Sequence, residues 1–259
     1  MPFVSASAIT PYNSIRGGGE EVDPILAFSP YNVWDSEHAV IDGNNTTFID
    51  FNNVGTTYDL TNPAATNQPT YTASDSNFNN LPSFDFDGVG DYMLGTAANY
   101  RNSDDSGALI SVYKLDNATR LSSITISSSA STYYIGFSLI ATNTYRFVAF
   151  AGPSRQWRGS TNINNTTTSY AVANVCTGSS YKQWINETPQ TVTILAGTND
   201  GSLWTDAVAF DNIAVGALVR PSGVSNFSGI KWAFSGYFPY TSDSQIDDIM
   251  AYLVTKYGL

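Results

Sequence analysis

The residues with the most chemical potential in this 259-residue chain are few and clustered. Asp85, Asp87 and Asp91 fall within Phe84-Asp85-Phe86-Asp87-Gly88-Val89-Gly90-Asp91-Tyr92, a strand followed by a tight turn. A turn of this kind can converge carboxylate oxygens on a hard cation such as calcium. The same carboxylates can instead accept the turn's own N–H groups. Arg155-Gln156-Trp157-Arg158 follows Gly152-Pro153 and reads as a loop carrying one tryptophan between two arginines. Trp and Arg in that setting suit either a carbohydrate ring or a protein partner. Tyr133, in the doublet Tyr133-Tyr134, is a further aromatic candidate, though one face of its strand must be core.

Most catalytic chemistries are hard to assemble from the remaining residues. The chain has four glutamates, Glu20, Glu21, Glu37 and Glu187, and none forms the alternating acid pattern that a retaining glycosidase places on one strand. The single histidine, His38, lies in Asp35-Ser36-Glu37-His38 and reads as a solvated loop residue. The single cysteine, Cys176, ends the apolar run Tyr170–Cys176 and reads as a small core residue. No intrachain disulfide and no His/Cys zinc site can form. The expectation is a protein with no catalytic residues and no required cofactor.

Composition narrows the partners. Net charge is −11 with only 13% charged residues, and Asn, Ser and Thr supply the polar surface. An acidic surface repels phosphate backbones, so nucleic acid is not expected as a partner. No apolar run reaches the length of a membrane span, and the opening Met1-Pro2-Phe3-Val4 lacks the pattern of a secretory leader.

These residues need a scaffold, and the pattern predicts an all-β one. Short alternating runs separated by turn residues are expected as strands: Thr47–Phe51, Ala108–Tyr113, Leu121–Ser127, Tyr133–Leu139 paired with Tyr145–Phe150, Thr168–Val175 and Thr191–Leu195. One amphipathic helix is expected at 243–257. Ser242 and Gln245 form a capping box, and Ile246, Ile249, Met250, Leu253 and Tyr257 form its apolar stripe. Residues 1–23, with Gly17-Gly18-Gly19, read as an extended N-terminal arm, and 24–259 as one sandwich that includes the helix.

Several short motifs, in order, resemble the laminin-G-like branch of the concanavalin A-like lectin/glucanase superfamily. They are Asp59-Leu60, Pro69-Thr70-Tyr71, Phe86-Asp87-Gly88 with Asp91-Tyr92, Trp184-Ile185-Asn186, Phe227-Ser228-Gly229 and Phe234-Ser235-Gly236-Tyr237. Glu187 stands where that family's turn has glycine. The resemblance implies a jelly-roll β-sandwich closed by a C-terminal α-helix, and bound calcium is known among such domains. It extends to glycan-binding modules, adhesion domains, glucanases and tailed-phage coat proteins. The arm followed by a sandwich looks like short structural proteins of tailed phages. The expectation is therefore a virion-surface protein: a capsid decoration, fibre or tail component. Its arm would dock on other virion proteins, its sandwich would adhere to surface polysaccharide, and it would self-associate as a homo-oligomer. A stand-alone carbohydrate-binding module is the alternative, ahead of a divergent glycoside hydrolase.

Overall fold

Alternating burial along short strands builds two antiparallel sheets packed face to face. The computed structural model describes residues 23–52, 58–96, 105–117, 122–140, 144–150, 156–161, 166–201, 204 and 210–259, with side chains for all but 137–140, 144–146, 156–158, 160 and 161. The N-terminal arm, residues 1–23, lies outside the described residues except for Asp23.

Sheet A has eight strands: β1 (Asn32–Asp35), β5 (Thr70–Asp75), β6 (Leu81–Asp87), β8 (Gly107–Leu115), β13 (Ser169–Cys176), β14 (Tyr181–Ile185), β15 (Thr188–Gln190) and β20 (Gly229–Phe238). Their order is β15-β14-β13-β8-β20-β6-β5, with β1 pairing to β20. Sheet B has ten: β2 (Ala39–Asp42), β3 (Asn45–Phe48), β4 (Leu60–Thr61), β7 (Met93–Thr96), β9 (Thr125–Ser127), β10 (Tyr134–Ile140), β11 (Thr144–Phe150), β12 (Gln156–Thr161), β16 (Thr193–Ala196) and β17 (Asn212–Val215). Its order is β16-β12-β11-β10-β9-β17-β7-β4-β3-β2. A separate hairpin joins β18 (Leu218–Arg220) to β19 (Gly223–Ser225). The fold is a jelly-roll β-sandwich with one long helix, α1 (Asp243–Tyr257), as the motif order leads one to expect.

Sheet A is buried on both faces, which explains why its central strands are apolar throughout. On β8, Leu109, Tyr113 and Leu115 enter the core between the sheets, while Ala108, Ile110 and Val112 enter a second core under α1. Strand β20 does the same, and its register shifts between Trp232 and Phe234. That irregularity turns Ala233 and Phe234 together toward the helix while Trp232 stays in the inter-sheet core. Buried Cys176 and exposed His38 fall where the sequence places them. The His38 ring rests 4.4 Å from that of Phe51. Among the described residues no helix is long and apolar enough to cross a membrane.

The helix follows its sequence signals with one local difference. The Ser242 hydroxyl accepts the Gln245 N–H at 3.2 Å. The Gln245 carboxamide oxygen reaches past Ser242 to the N–H and hydroxyl of Thr241, both at 2.9 Å, because Thr241 offers two donors. Gly258 closes the helix with a left-handed φ of 66°.

The last turn carries the main tie to the sandwich. The Lys256 ammonium lies 2.9 Å from Asp35, 2.9 Å from Glu37 and 3.2 Å from Asp23. The Tyr257 hydroxyl donates to Asp35 at 2.8 Å and the Tyr252 hydroxyl to Asp23 at 2.7 Å. Burial opposes ionisation of Asp23, but the Lys256 charge, the Ile25 N–H and the Tyr252 hydroxyl outweigh it and hold the carboxyl below its ordinary range. A depressed folded pKa gives stability that is present above the unfolded value and lost as pH falls. Lys256→Met leaves three carboxylates around an apolar side chain and is expected to cost about 3 kcal/mol in urea unfolding at pH 7. The gap from wild type should shrink as pH falls below about 4, where the unfolded carboxylates also protonate. A cost under about 0.5 kcal/mol would mean that the cluster behaves as a surface pair.

Candidate functional site

The outer face of sheet B is built from the residues that alternate with its core positions. Ile126, Ile135, Phe147, Ala149, Ile213 and Met93 point into the inter-sheet core. Their neighbours Ser127, Tyr134, Phe150, Asn212 and Thr96 therefore take the other face. Strand register lines these five up. Phe150 is opposite Tyr134, Tyr134 opposite Ser127, Ser127 opposite Asn212, and Asn212 opposite Thr96. The row crosses five strands and is about 19 Å long at ordinary strand spacing.

One end of this row is aromatic and the other polar. The half-buried rings of Tyr134 and Phe150 stack with centroids 5.5 Å apart and planes 29° apart. Beyond them the β9–β10 loop is tied down by hydroxyl and carboxylate groups. Ser128 donates its N–H to the Tyr133 carbonyl at 3.0 Å, and its hydroxyl accepts from Ala130 and Ser131 at 3.3 and 3.2 Å. Asp211 accepts the Ser129 N–H at 2.7 Å and the Ser129 hydroxyl, and also the Asn212 carboxamide N–H at 2.6 Å. Ser127, at the middle of the row, is fully buried, so the row offers the two half-buried rings at one end and the Asn212 amide and the Thr96 hydroxyl at the other. Such a row can stack against apolar faces and exchange hydrogen bonds with hydroxyl groups.

The structure redistributes the residues expected from sequence. Tyr133 sits one residue before β10, half-buried, where its N–H donates to the Ser131 hydroxyl at 3.4 Å. It shapes the loop, and the neighbouring Tyr134 takes the sheet face. The loop reading of Trp157 and Arg158 is corrected: both lie on β12, opposite Ala149 and Val148. Their side chains and the whole of Arg155 lie outside what is described. Sequence reasoning singled out the doublet but favoured Tyr133 within it, and it missed Phe150 and Asn212. The doublet Tyr133-Tyr134 held the signal, but only the register decides which tyrosine enters the row.

The Asp85, Asp87 and Asp91 corner is wired as a turn. One Asp87 oxygen accepts the N–H groups of Val89, Gly90 and Asp91 at 2.8, 2.8 and 3.0 Å. Asp91 returns the contact by accepting the Asp87 N–H at 3.2 Å. Burial raises the Asp87 carboxyl pKa, but these three donors outweigh it and lower the net value. Burial and the charges of Asp87 and Asp85 push Asp91 up to about 6, against the pull of the Asp87 N–H. Asp85 pairs with Lys231 at 3.4 Å. Desolvation and the Asp85 carboxylate likewise raise Asp116, at the end of β8, to about 6. Gly88 is required by space, since a Cβ there would meet the Gly229 nitrogen at 2.9 Å on a φ of +75°. Among the described residues no three acidic, histidine or cysteine side chains are placed to hold a metal ion. One Asp87 oxygen is thus spent on three N–H groups and Asp91 holds its proton more tightly than an ordinary aspartate, which is the wiring of a turn.

No family model matches the chain, and no curated protein matches it. Solved structures do. A Trypanosoma rangeli sialidase in complex with the inhibitor DANA aligns with a TM-score of 0.53 at 11% identity, over 87% of this chain and 32% of that one. The Ruminococcus gnavus IT-sialidase CBM40 bound to α2,3 sialyllactose aligns at 0.45 and 12% identity, over 56% and 82%. The NanB sialidase of Streptococcus pneumoniae, as its K499G mutant, aligns at 0.49 and 10%, over 64% and 27%. This chain thus spans about a third of the Trypanosoma enzyme and less of NanB. At these identities the likeness is one of fold: a jelly-roll β-sandwich.

Folded Asp91 holds its proton more tightly than an unfolded aspartate near 3.9, so ionising it between about pH 4 and 6 costs the folded state stability. Asp91→Asn keeps an acceptor for the Asp87 N–H and removes the charge. The variant is expected to melt above wild type at pH 7, with the gap closing by pH 4, and a calcium chelator should shift neither curve. A wild-type melting temperature that rises with added calcium would contradict the turn reading.

Proposed function

We propose that this chain is a non-catalytic, lectin-like module that holds a carbohydrate chain across the outer face of sheet B. The observation that carries this reading is the stacked Tyr134–Phe150 pair, in register with Ser127, Asn212 and Thr96. A pyranose presents an apolar C–H face and a rim of hydroxyls, and this strip offers partners for both. Its tied loop and strand positions limit the ordering cost of binding. The absence of an alternating acid pattern among the four glutamates supports the non-catalytic part. The finer placement, on a virion surface with residues 1–23 docking on neighbouring virion proteins, is supported by the glycine-rich arm ahead of the sandwich.

Binding of the purified protein to an array of bacterial and marine polysaccharides tests the site. Tyr134→Ala and Phe150→Ala are each expected to weaken saturable binding by about 1–3 kcal/mol, roughly 5- to 150-fold, with circular dichroism unchanged. Trp157→Ala is the comparison: an equal loss would extend the site onto β12. Wild-type affinity in both the Tyr134 and Phe150 variants would remove this face from consideration. Deleting residues 1–23 is expected to abolish incorporation into particles while leaving glycan binding intact.

A further inference from the structure

Charge is unevenly placed along this chain. Between Asp116 and Glu187 there is no acidic residue, while Arg120, Arg146, Arg155, Arg158 and Lys182 supply positive charge. All 22 acidic residues lie outside that stretch, in a chain of net charge −11. The stretch supplies β9 to β12, which are consecutive neighbours in sheet B.

Lysines and arginines divide between the sheets. Lys114, Lys182 and Lys231 stand on sheet A and Lys256 on α1. Each is spent on a carboxylate. Lys182 lies 2.6 Å from Asp243, Lys231 3.4 Å from Asp85 and Lys256 2.9 Å from Asp35. The Lys114 charge opposes the rise that desolvation and Asp85 impose on Asp116. The strands of sheet B hold one acidic residue, Asp42 on the distant β2, against Arg146 on β11 and Arg158 on β12. Register gives both arginines outer-face positions. Arg146 is opposite Ser138 and Ser160, and Arg158 is opposite Val148, in alternation with the core residues Phe147 and Ala149. Arg146, Val148 and Phe150 therefore stand in line on β11. At ordinary strand dimensions the Arg158 backbone lies about 8 Å from that of Phe150, the reach from one sugar ring to the next.

Arg220 adds a third cation. Thr125, at an outer-face position opposite Gly136, donates its hydroxyl to the Ala217 carbonyl at 2.8 Å, which seats the base of the β18–β19 hairpin on that face. Arg220, three residues on, makes no ion pair among the described residues. Its Nη2 donates to the Ser225 hydroxyl at 3.2 Å, and its Nε is buried without a partner.

We propose that the glycan held on the outer face of sheet B is anionic: a polysaccharide whose carboxylate or sulfate groups pair with Arg146, Arg158 and Arg220. The inference rests on the carbohydrate reading of this face and names the class of chain it takes. Arginine presents a fixed fork of donors that matches two oxygens of one anion. The acidic remainder of the surface repels such a polymer and so confines it to this face. A nucleic acid, charged at every residue, would run from these few arginines onto that acidic surface.

Titration with dextran, polygalacturonate and dextran sulfate, and with an oligothymidylate, tests the charge. Polygalacturonate or dextran sulfate should bind about 10-fold or more tighter than dextran, the stronger of the two identifying carboxylate or sulfate as the group recognised. That affinity should fall with added sodium chloride, whereas any for dextran should not. Arg146→Gln with Arg158→Gln should weaken the charged chain about 5- to 10-fold and Arg220→Gln about 2- to 5-fold, with dextran affinity and melting temperature at wild-type values. Lys182→Gln, from the same acid-free stretch but on sheet A, should leave the charged chain's affinity unchanged. Salt dependence of the wild type carries the test should an arginine variant fail to fold. Dextran binding that Tyr134→Ala weakens, with no gain for either charged chain, would overturn this inference and leave the carbohydrate reading standing. Oligothymidylate binding as tight as that of the charged polysaccharide, and weakened by the same arginine variants, would overturn it in favour of a nucleic acid. A loss in Lys182→Gln equal to that in the arginine variants would overturn it as diffuse attraction.

Discussion

Burial of sheet A on both faces is the constraint on which the rest of the molecule depends. A sheet that is apolar on two sides needs two covers. One is sheet B, against Leu109, Tyr113, Trp232 and Tyr237; the other is the C-terminal helix, against Ile110, Val112, Ala173 and Phe234. An amphipathic stripe is non-directional and would tolerate sliding. Lys256, among Asp23, Asp35 and Glu37, supplies the direction. Charge–charge contacts under partial burial are demanding in geometry, so they fix where the helix lies rather than merely adding stability.

Covering sheet A on both sides leaves sheet B as the sheet whose outer face can serve a ligand. The same period-two alternation that fills the core with Ile126, Ile135 and Phe147 delivers Ser127, Tyr134 and Phe150 to that outer face. The serine-rich β9–β10 loop beside it is held by Asp211 and by the Ser128 hydroxyl.

Legibility varied with the range of the interaction involved. The helix from Asp243 to Tyr257 was readable because caps and stripe are local, and it differs only in how Gln245 reaches Thr241. The hairpin of β10 and β11 was readable for the same reason. Strand limits were less so: the run from Leu121 was expected to be extended throughout, yet β9 begins at Thr125. Ser122 and Ser123 are buried there, with Ser122 donating to the Asn226 carbonyl, a contact that no local pattern announces. The missing glycine at Glu187 proves harmless because Asn186 takes the positive φ, at 50°, and its carboxamide oxygen accepts the Ala171 N–H.

By itself the sequence determined the all-β class, the capped helix and the burial of Cys176, and left Asp87 open between a calcium ligand and a turn acceptor. Each of the first three is set by residues within a few positions of one another. Tertiary structure alone decided that Tyr134 enters the cross-strand row while Tyr133 stays in the loop before it, that Phe150 stacks on Tyr134, and that Asn212 joins the same row. Those outcomes depend on register between strands far apart in the chain, where a slip of one residue exchanges the two faces. It also decided that Lys256, legible only as a favourable charge at a helix end, gathers three carboxylates from segments more than two hundred residues away.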